Sequence, residues 1–110
     1  MPSAYVPEAG DIVWLEFEPQ AGHGQAGRQP AVVLSPAGYN ARVGMIVCCP
    51  TTPRIKGYPF KVTLAGKPAS VVLADQVKSQ DWRARRATRK GRVAPAELAE
   101  VRAKLVALIG

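Results

Sequence analysis

The sequence predicts a mainly β protein: a small, strongly curved antiparallel barrel of the SH3-like kind, with one helix at its C-terminal end. Three observations predict it. Short runs of apolar and β-branched residues recur along the first ninety positions, separated by proline and glycine punctuation. The final fifteen or so positions instead carry apolar residues at helical spacing. The chain has 110 residues, 47% of them apolar, which suits one domain spanning 1–110 and one hydrophobic core.

The elements follow in order. Asp11–Phe17 alternates as a strand, with Ile12, Trp14 and Glu16 on one face and Val13, Leu15 and Phe17 on the other. Pro19 ends it. Gln20–Gln29 contains Gly22, Gly24 and Gly27 and reads as a loop. Ala31–Leu34 is a second strand, opened by Pro30 and closed by Ser35-Pro36. Met45–Cys49 is a third, stopped by Pro50. Tyr58–Leu64 is a fourth, its Pro59 pointing to an edge or bulge. Ser70–Leu73, with a stretch near Gln76–Lys78, supplies a fifth, and Ala87–Val93 a last short one. Pro95 then opens a helix whose apolar stripe is Leu98, Val101, Leu105, Leu108 and Ile109, with Glu97 in the first turn.

Charge bounds the function. The net charge of +7 invites a polyanionic partner. Its distribution says more: between Glu18 and Asp75 there is no carboxylate, while Arg28, Arg42, Arg54, Lys56, Lys61 and Lys67 lie there. Between Asp81 and Glu97 there is again none, against Arg83, Arg85, Arg86, Arg89, Lys90 and Arg92. Such runs can be solvated faces, but the missing counter-charges favour a polyanion site, whether for nucleic acid, an anionic membrane surface or an acidic protein. Cys48 and Cys49 are neighbours and read as reduced core residues rather than a disulfide. No apolar run reaches the roughly 20 residues of a membrane span, and the N-terminus lacks a signal-peptide pattern, so the expectation is a cytoplasmic protein with no membrane partner. Zinc-ligand spacing, a P-loop, a Gly-x-Ser-x-Gly elbow and a central carboxylate cluster for magnesium are all missing from the sequence. No cofactor or metal is expected.

Several segments, taken together, resemble the MazF/PemK family of toxin–antitoxin systems. They are Tyr5-Val6-Pro7 with Gly10-Asp11 and Trp14, Gln25-Ala26-Gly27, Pro30 to Pro36 with Tyr39-Asn40, and Pro50-Thr51-Thr52. Lys56 to Phe60, Leu73 to Lys78, Trp82 to Arg85 and Gly91 to Pro95 complete the match. The resemblance spans nearly the whole chain. It implies a curved antiparallel sheet of the CcdB/MazF type plus a C-terminal helix, a homodimer, and a groove for single-stranded RNA at the dimer interface. It implies a sequence-specific endoribonuclease (an mRNA interferase) in which the ribose 2′-hydroxyl attacks the adjacent phosphorus. The products would be a 2′,3′-cyclic phosphate and a 5′-hydroxyl. It also implies a MazE-like antitoxin that blocks the groove.

The resemblance further implies a catalytic pair: a threonine after the third strand and an arginine just before the Pro-Ala-Val strand. Thr52 matches the threonine. The arginine position holds Gln29 here, so the neighbouring Arg28 is the candidate cation. Some relatives carry a glutamate where this chain has Gly24; His23, beside it, is the candidate proton acceptor, since an imidazole near pKa ~6.5 suits that task. The identity of the general base stays open at this point. Phe17, Gln25, Thr51, Lys56, Gln76, Lys78, Arg83, Arg85 and Arg86 are candidate RNA contacts, the aromatic by stacking and the others by phosphate or base-edge contacts. Two other readings stay open: a CcdB-like poison of DNA gyrase, and a noncatalytic RNA-binding SH3-like module.

Overall fold

The structure, a computed structural model, describes residues 5–17, 27–53, 57–66 and 69–110. In chain order the elements are β1 (Asp11–Phe17), β2 (Gly27–Val33), α1 (Ala37–Val43), β3 (Met45–Thr52), β4 (Lys61–Leu64), β5 (Ser70–Leu73), β6 (Lys78–Asp81), β7 (Thr88–Arg92) and α2 (Pro95–Ile109). The strands form one antiparallel sheet in the order β4-β5-β3-β2-β1-β7, with β6 also paired to β3. Among the described residues β4 and β7 do not pair with one another, so the sheet is a curled half-barrel rather than a closed one.

Both faces of the sheet are covered, which explains why several strands read as continuous apolar runs. On one face Val32, Cys49, Val62, Val72 and Val101 form a core beneath α2, with Ile12, Leu98 and Leu105 packed against it. On the other, Val13, Leu15, Ala31, Val33, Ile46, Cys48 and Trp82 form a second core, joined by Tyr5, Val6 and Phe17. The period-two alternation of β1 therefore decides which core each residue enters. In the same way, the adjacent Cys48 and Cys49 are split between the two cores, both as free thiols.

α2 docks through the front of its apolar stripe. Val101 is fully buried, whereas Leu108 and Ile109 are 46% and 75% exposed, so the last turn of the expected stripe does not join the core. Burying each large side chain that does dock contributes roughly 1.5–3 kcal/mol. Glu97 fixes the helix start: its Oε1 accepts from the Ala94 N–H at 2.7 Å and its Oε2 from the Ala65 N–H at 2.7 Å, tying the helix to the end of β4.

Five elements differ from expectation. β2 begins at Gly27, so Gly27–Gln29 is strand rather than loop; Phe17, Glu16 and Leu15 of β1 pair with these three residues and supply the order that glycine alone would not. β3 runs through Pro50. Val47 O accepts from Leu34 N, so odd positions of β3 bond towards β2 and even positions towards the opposite edge. On that edge β6 pairs with Met45–Cys48 and β5 with Thr51 and Thr52, leaving Pro50 in the gap where no N–H is needed. The fourth strand starts at Lys61, not Tyr58, and Lys78–Asp81 forms a strand of its own. Finally, α1 has no counterpart in the sequence reading, because seven residues containing Gly38 show no helical period. It is held by buried Asn40, whose amide donates to Pro7 O and Ser35 O and whose Oδ1 accepts from Ser35 Oγ.

The N-terminal segment is anchored at Asp11, whose side chain is only 4% exposed. Its carboxylate accepts from Tyr5 Oη at 2.5 Å, Glu8 N at 3.1 Å and Arg92 Nη1 at 2.7 Å. Burial comes first, and the bond to Asp11 second, in pushing the Tyr5 hydroxyl far above its ordinary value.

Candidate nucleic-acid interface

The face of the sheet opposite α2 carries a groove. Leu15, Phe17, Gln29, Pro50, Lys78 and Gln80 line its smaller part. Phe17, Gln29 and Gln80 also border a wider depression that continues to Arg85 and Arg86. Strand register explains this gathering. Leu15 pairs with Gln29, Ala31 with Pro50 and Cys48 with Lys78, so these side chains share one face. The same alternation sends Thr52, two residues beyond Pro50, to that side. Thr52 ends β3 half-buried.

Cations lie at both ends. Lys78 stands opposite Cys48. Burial pushes the Cys48 thiol up to about 11 while the Lys78 charge pulls it back; Cys49, also raised mainly by burial, reaches about 12. At the other end the Arg85 guanidinium lies 4.3 Å from the centre of the Phe17 ring, a cation–π contact that presents an aromatic edge and a positive charge together. Arg86 holds a left-handed backbone, φ +50°, in the tight Asp81–Ala87 turn. The groove is not free of acid: Glu16 and Asp81 border the wider part. Asp81 Oδ1 accepts from the Ala84 N–H, so one of its oxygens is engaged in the turn.

Other expected site residues sit elsewhere. Arg28 is the correction of most consequence. It pairs with Glu16 while Gln29 pairs with Leu15, so the two neighbours face opposite sides of β2. The Arg28 guanidinium lies 4.5 Å from the Trp14 ring centre, on the face away from Gln29, and Lys90 approaches the same ring at 5.3 Å. The structure thus does not bring Arg28 to Thr52. Arg83 donates to Ala41 O at 2.9 Å and stacks 4.6 Å from the Trp82 ring centre, an anchoring role at α1. Trp82 itself is buried and donates to Asn40 O, which leaves no face for a base. Thr51 turns the other way from Thr52, its hydroxyl directed at Pro30 O at 3.5 Å. Gln76 is exposed just before β6. His23, Gln25 and Lys56 lie outside the described residues. Among the described residues no group of three or more His, Cys, Asp or Glu side chains is arranged to hold a metal.

Sequence reasoning missed two participants. Gln80 lines both parts of the groove, and only the pairing of β6 with β3 reveals it. Tyr58 donates to Asp75 Oδ2 at 2.5 Å, linking the connection after β3 to the one before β6. The Asp75 carboxylate holds the Tyr58 hydroxyl above its ordinary value.

A curled antiparallel sheet with one C-terminal helix, and a groove of cations, amides and one aromatic on the side opposite that helix, defines a compact single-sheet protein built to meet a polyanion. The chain belongs to the family described as PemK-like, MazF-like toxins of type II toxin–antitoxin systems, whose model matches residues 8–109. It is 56% identical over 111 aligned positions to the endoribonuclease toxin MazF of Escherichia coli K12, covering 100% of both chains. It is 36% identical to the endoribonuclease toxin ChpB of the same organism, over 93% of each chain. Its structure superposes on that of MazF in a MazE–MazF crystal (form II) from Deinococcus radiodurans with a TM-score of 0.91 and 55% identity, over 97% of this chain and 98% of that one. No helix among the described residues is long and apolar enough to cross a membrane.

Proposed function

We propose that this protein is the endoribonuclease toxin of a type II toxin–antitoxin pair, cutting single-stranded RNA at short sequence motifs in the cytoplasm and so halting translation. The observation that carries the reading is the full-length match to an endoribonuclease toxin, without gaps large enough to remove any strand of the groove. The acting form in this reading is a homodimer, and the neutralising partner is a MazE-like antitoxin with an acidic segment that competes for the same positive groove.

The chemistry assigned to it is transesterification. The 2′-oxygen forms a bond to the adjacent phosphorus as its proton leaves, the bond from phosphorus to the 5′-oxygen breaks, and that oxygen takes up a proton. The products are a 2′,3′-cyclic phosphate and a 5′-hydroxyl, and DNA, without a 2′-hydroxyl, is not cut. Charge that develops on the phosphoryl oxygens needs donors fixed in advance. Thr52 supplies a hydroxyl on the groove face. Gln29 supplies amide donors and Lys78 a cation, both from the lining of the groove. Phe17 and Arg85 offer a stacking edge and a backbone contact further along. His23 is retained in the proposal as proton acceptor, and Gln25, Lys56 and Gln76 as RNA contacts. Arg28, on the far face, is assigned no step.

The test is direct. Purified protein is incubated with mixed-sequence single-stranded RNA in EDTA and the ends are mapped. Discrete cuts bearing cyclic phosphates are expected. RNA that is bound but intact would overturn the reading.

A further inference from the structure

We propose that Arg28, Lys90 and Trp14 form a second binding site for RNA phosphates, on the face of the sheet away from the groove, which holds the part of the strand that flanks the cleaved segment. The inference rests on the proposed RNA-cleaving function and extends it to a surface that takes no part in the chemistry.

The site is made by an interruption in strand pairing. Along β1 and β7, Asp11 stands opposite Arg92 and Ile12 opposite Gly91, but Val13 stands opposite Arg89. Lys90 is the extra residue of a β-bulge. In an unbroken ladder it would stand opposite Val13 and share the groove side of the sheet. Instead its ammonium lies 5.3 Å from the centre of the Trp14 ring. Trp14 follows Val13 in β1 and so belongs to the other face. Arg28, opposite Glu16 on β2, approaches the same ring at 4.5 Å. The strands on both sides of β1 thus bring one cation each to one indole.

Both charges are unspent. Arg28 and Lys90 are exposed. Among the described residues the ion pairs join Arg89 and Arg92 to Asp11 and Arg92 to Glu8, so these carboxylates are taken by the two arginines that flank Lys90 in β7. Glu16 stands opposite Arg28 without an ion pair between them, and it borders the wider part of the groove. A guanidinium stacked on a ring still presents its N–H edge, and an ammonium its protons, to an acceptor. Two such cations, held by one half-buried ring, suit the phosphates of a flexible strand.

Continuity with the groove selects RNA over an acidic protein segment. Phe17 and Arg85 repeat, on the groove side, the arrangement of Trp14 and Arg28: an arginine laid on an aromatic of β1. Only Arg86 and Ala87 separate Arg85 from β7, the edge strand of the sheet. A strand that leaves the groove at Arg85 therefore turns round a free edge to reach Lys90.

The experiment measures the affinity of two RNAs at several salt concentrations. One is a short RNA that fills only the groove, made uncleavable by a 2′-deoxy sugar at the scissile position. The other is the same RNA extended by uridine tracts. Each phosphate contact to a single strand adds roughly 0.7 to the slope of log affinity against log salt. Arg28→Gln/Lys90→Gln should therefore bind the extended RNA more weakly, with a slope smaller by about 1.4, and Lys90→Gln alone with one smaller by about 0.7. Affinity for the short RNA should hold, which also shows that the groove is still folded. Arg42→Gln/Lys104→Gln removes the same net charge from α1 and α2 and should keep the wild-type slope. An equal fall in the two double variants, or an unchanged slope in Arg28→Gln/Lys90→Gln, overturns the inference. A polyglutamate peptide that binds through these two cations, with no gain from the uridine tracts, overturns it in favour of a protein partner. A wild type that binds the short RNA yet leaves its all-ribose form uncut overturns the nuclease reading alone, and the salt slopes still decide the far-face site.

Discussion

Arg28 and Gln29 are consecutive residues of β2, yet they serve opposite faces of the sheet: Gln29 lines the groove, and Arg28 stacks on Trp14 at 4.5 Å. One residue of offset in a strand exchanges the two faces completely. A residue-by-residue reading that tolerates a shift of one therefore places a cation where the fold puts an amide.

This separation makes Arg28 replaceable. Arg28→Met should leave the cleavage rate at saturating RNA within about threefold and should cost about 0.5–1 kcal/mol of stability, the worth of an exposed cation–π contact. Single-turnover cleavage and urea unfolding measure the two effects. A hundredfold loss of rate would return Arg28 to the reacting phosphate.

The N-terminal anchor should prove far more sensitive. Asp11→Ala leaves the Arg92 guanidinium, Tyr5 Oη and the Glu8 N–H without their shared acceptor. A loss of about 3 kcal/mol is expected in chemical denaturation, in the range found when one partner of a buried ion pair is removed. Arg102→Ala, whose guanidinium donates to Leu34 O at 3.3 Å, should cost about 1 kcal/mol or less.

Alkaline pH should destabilise the fold through its thiols. Cys48 and Cys49 titrate at about 11 and about 12 when folded, against an ordinary 9.0. The native state therefore holds protons that the unfolded state has lost. Their contribution is complete below pH 9 and disappears as pH rises through the folded values. Denaturation midpoints should fall progressively above pH 9, and a Cys48→Ala/Cys49→Ala variant should show a shallower fall. At pH 8 both thiols should react with a maleimide only when the protein unfolds, as buried and protonated thiols do. Rapid labelling of the native protein would contradict their placement in the two cores.

The docking of α2 predicts a contrast along one helix. Val101→Ala should cost about 2 kcal/mol as a cavity in the core, while Ile109→Ser should stay within about 0.5 kcal/mol because the side chain is 75% exposed. Equal effects at the two positions would mean that the last turn packs after all.

Much of this fold is legible from the chain because its periodicities are strong. The alternation of Asp11–Phe17, the β-branched run Ser70–Leu73 and the helix from Pro95 each match the structure. What escapes is what depends on neighbours distant in sequence. Gly27–Gln29 is a strand only because β1 lies beside it, and Pro50 is harmless only because β3 exchanges β6 for β5 there. α1 is stabilised by the hydrogen bonds of one asparagine, not by a period. The candidate site divides in the same way. Arg85 is legible as a cation in a carboxylate-poor stretch, and Phe17 and Lys78 are legible from the family resemblance. Gln80 and the Tyr58–Asp75 bond are not, because neutral or exposed residues carry no charge signal until the sheet pairs them.

The central claim is that the groove face of the sheet, with Thr52 on it, is where the RNA phosphodiester breaks. Its most direct test is the single-turnover cleavage rate of Thr52→Val, which keeps the shape and removes the hydroxyl, set beside its affinity for an RNA made uncleavable by a 2′-deoxy sugar at the scissile position. The expected result is a rate at least about a hundredfold lower, as for loss of one transition-state donor, with affinity changed no more than about threefold. A Thr52→Val protein that cleaves at the wild-type rate would place the chemistry elsewhere.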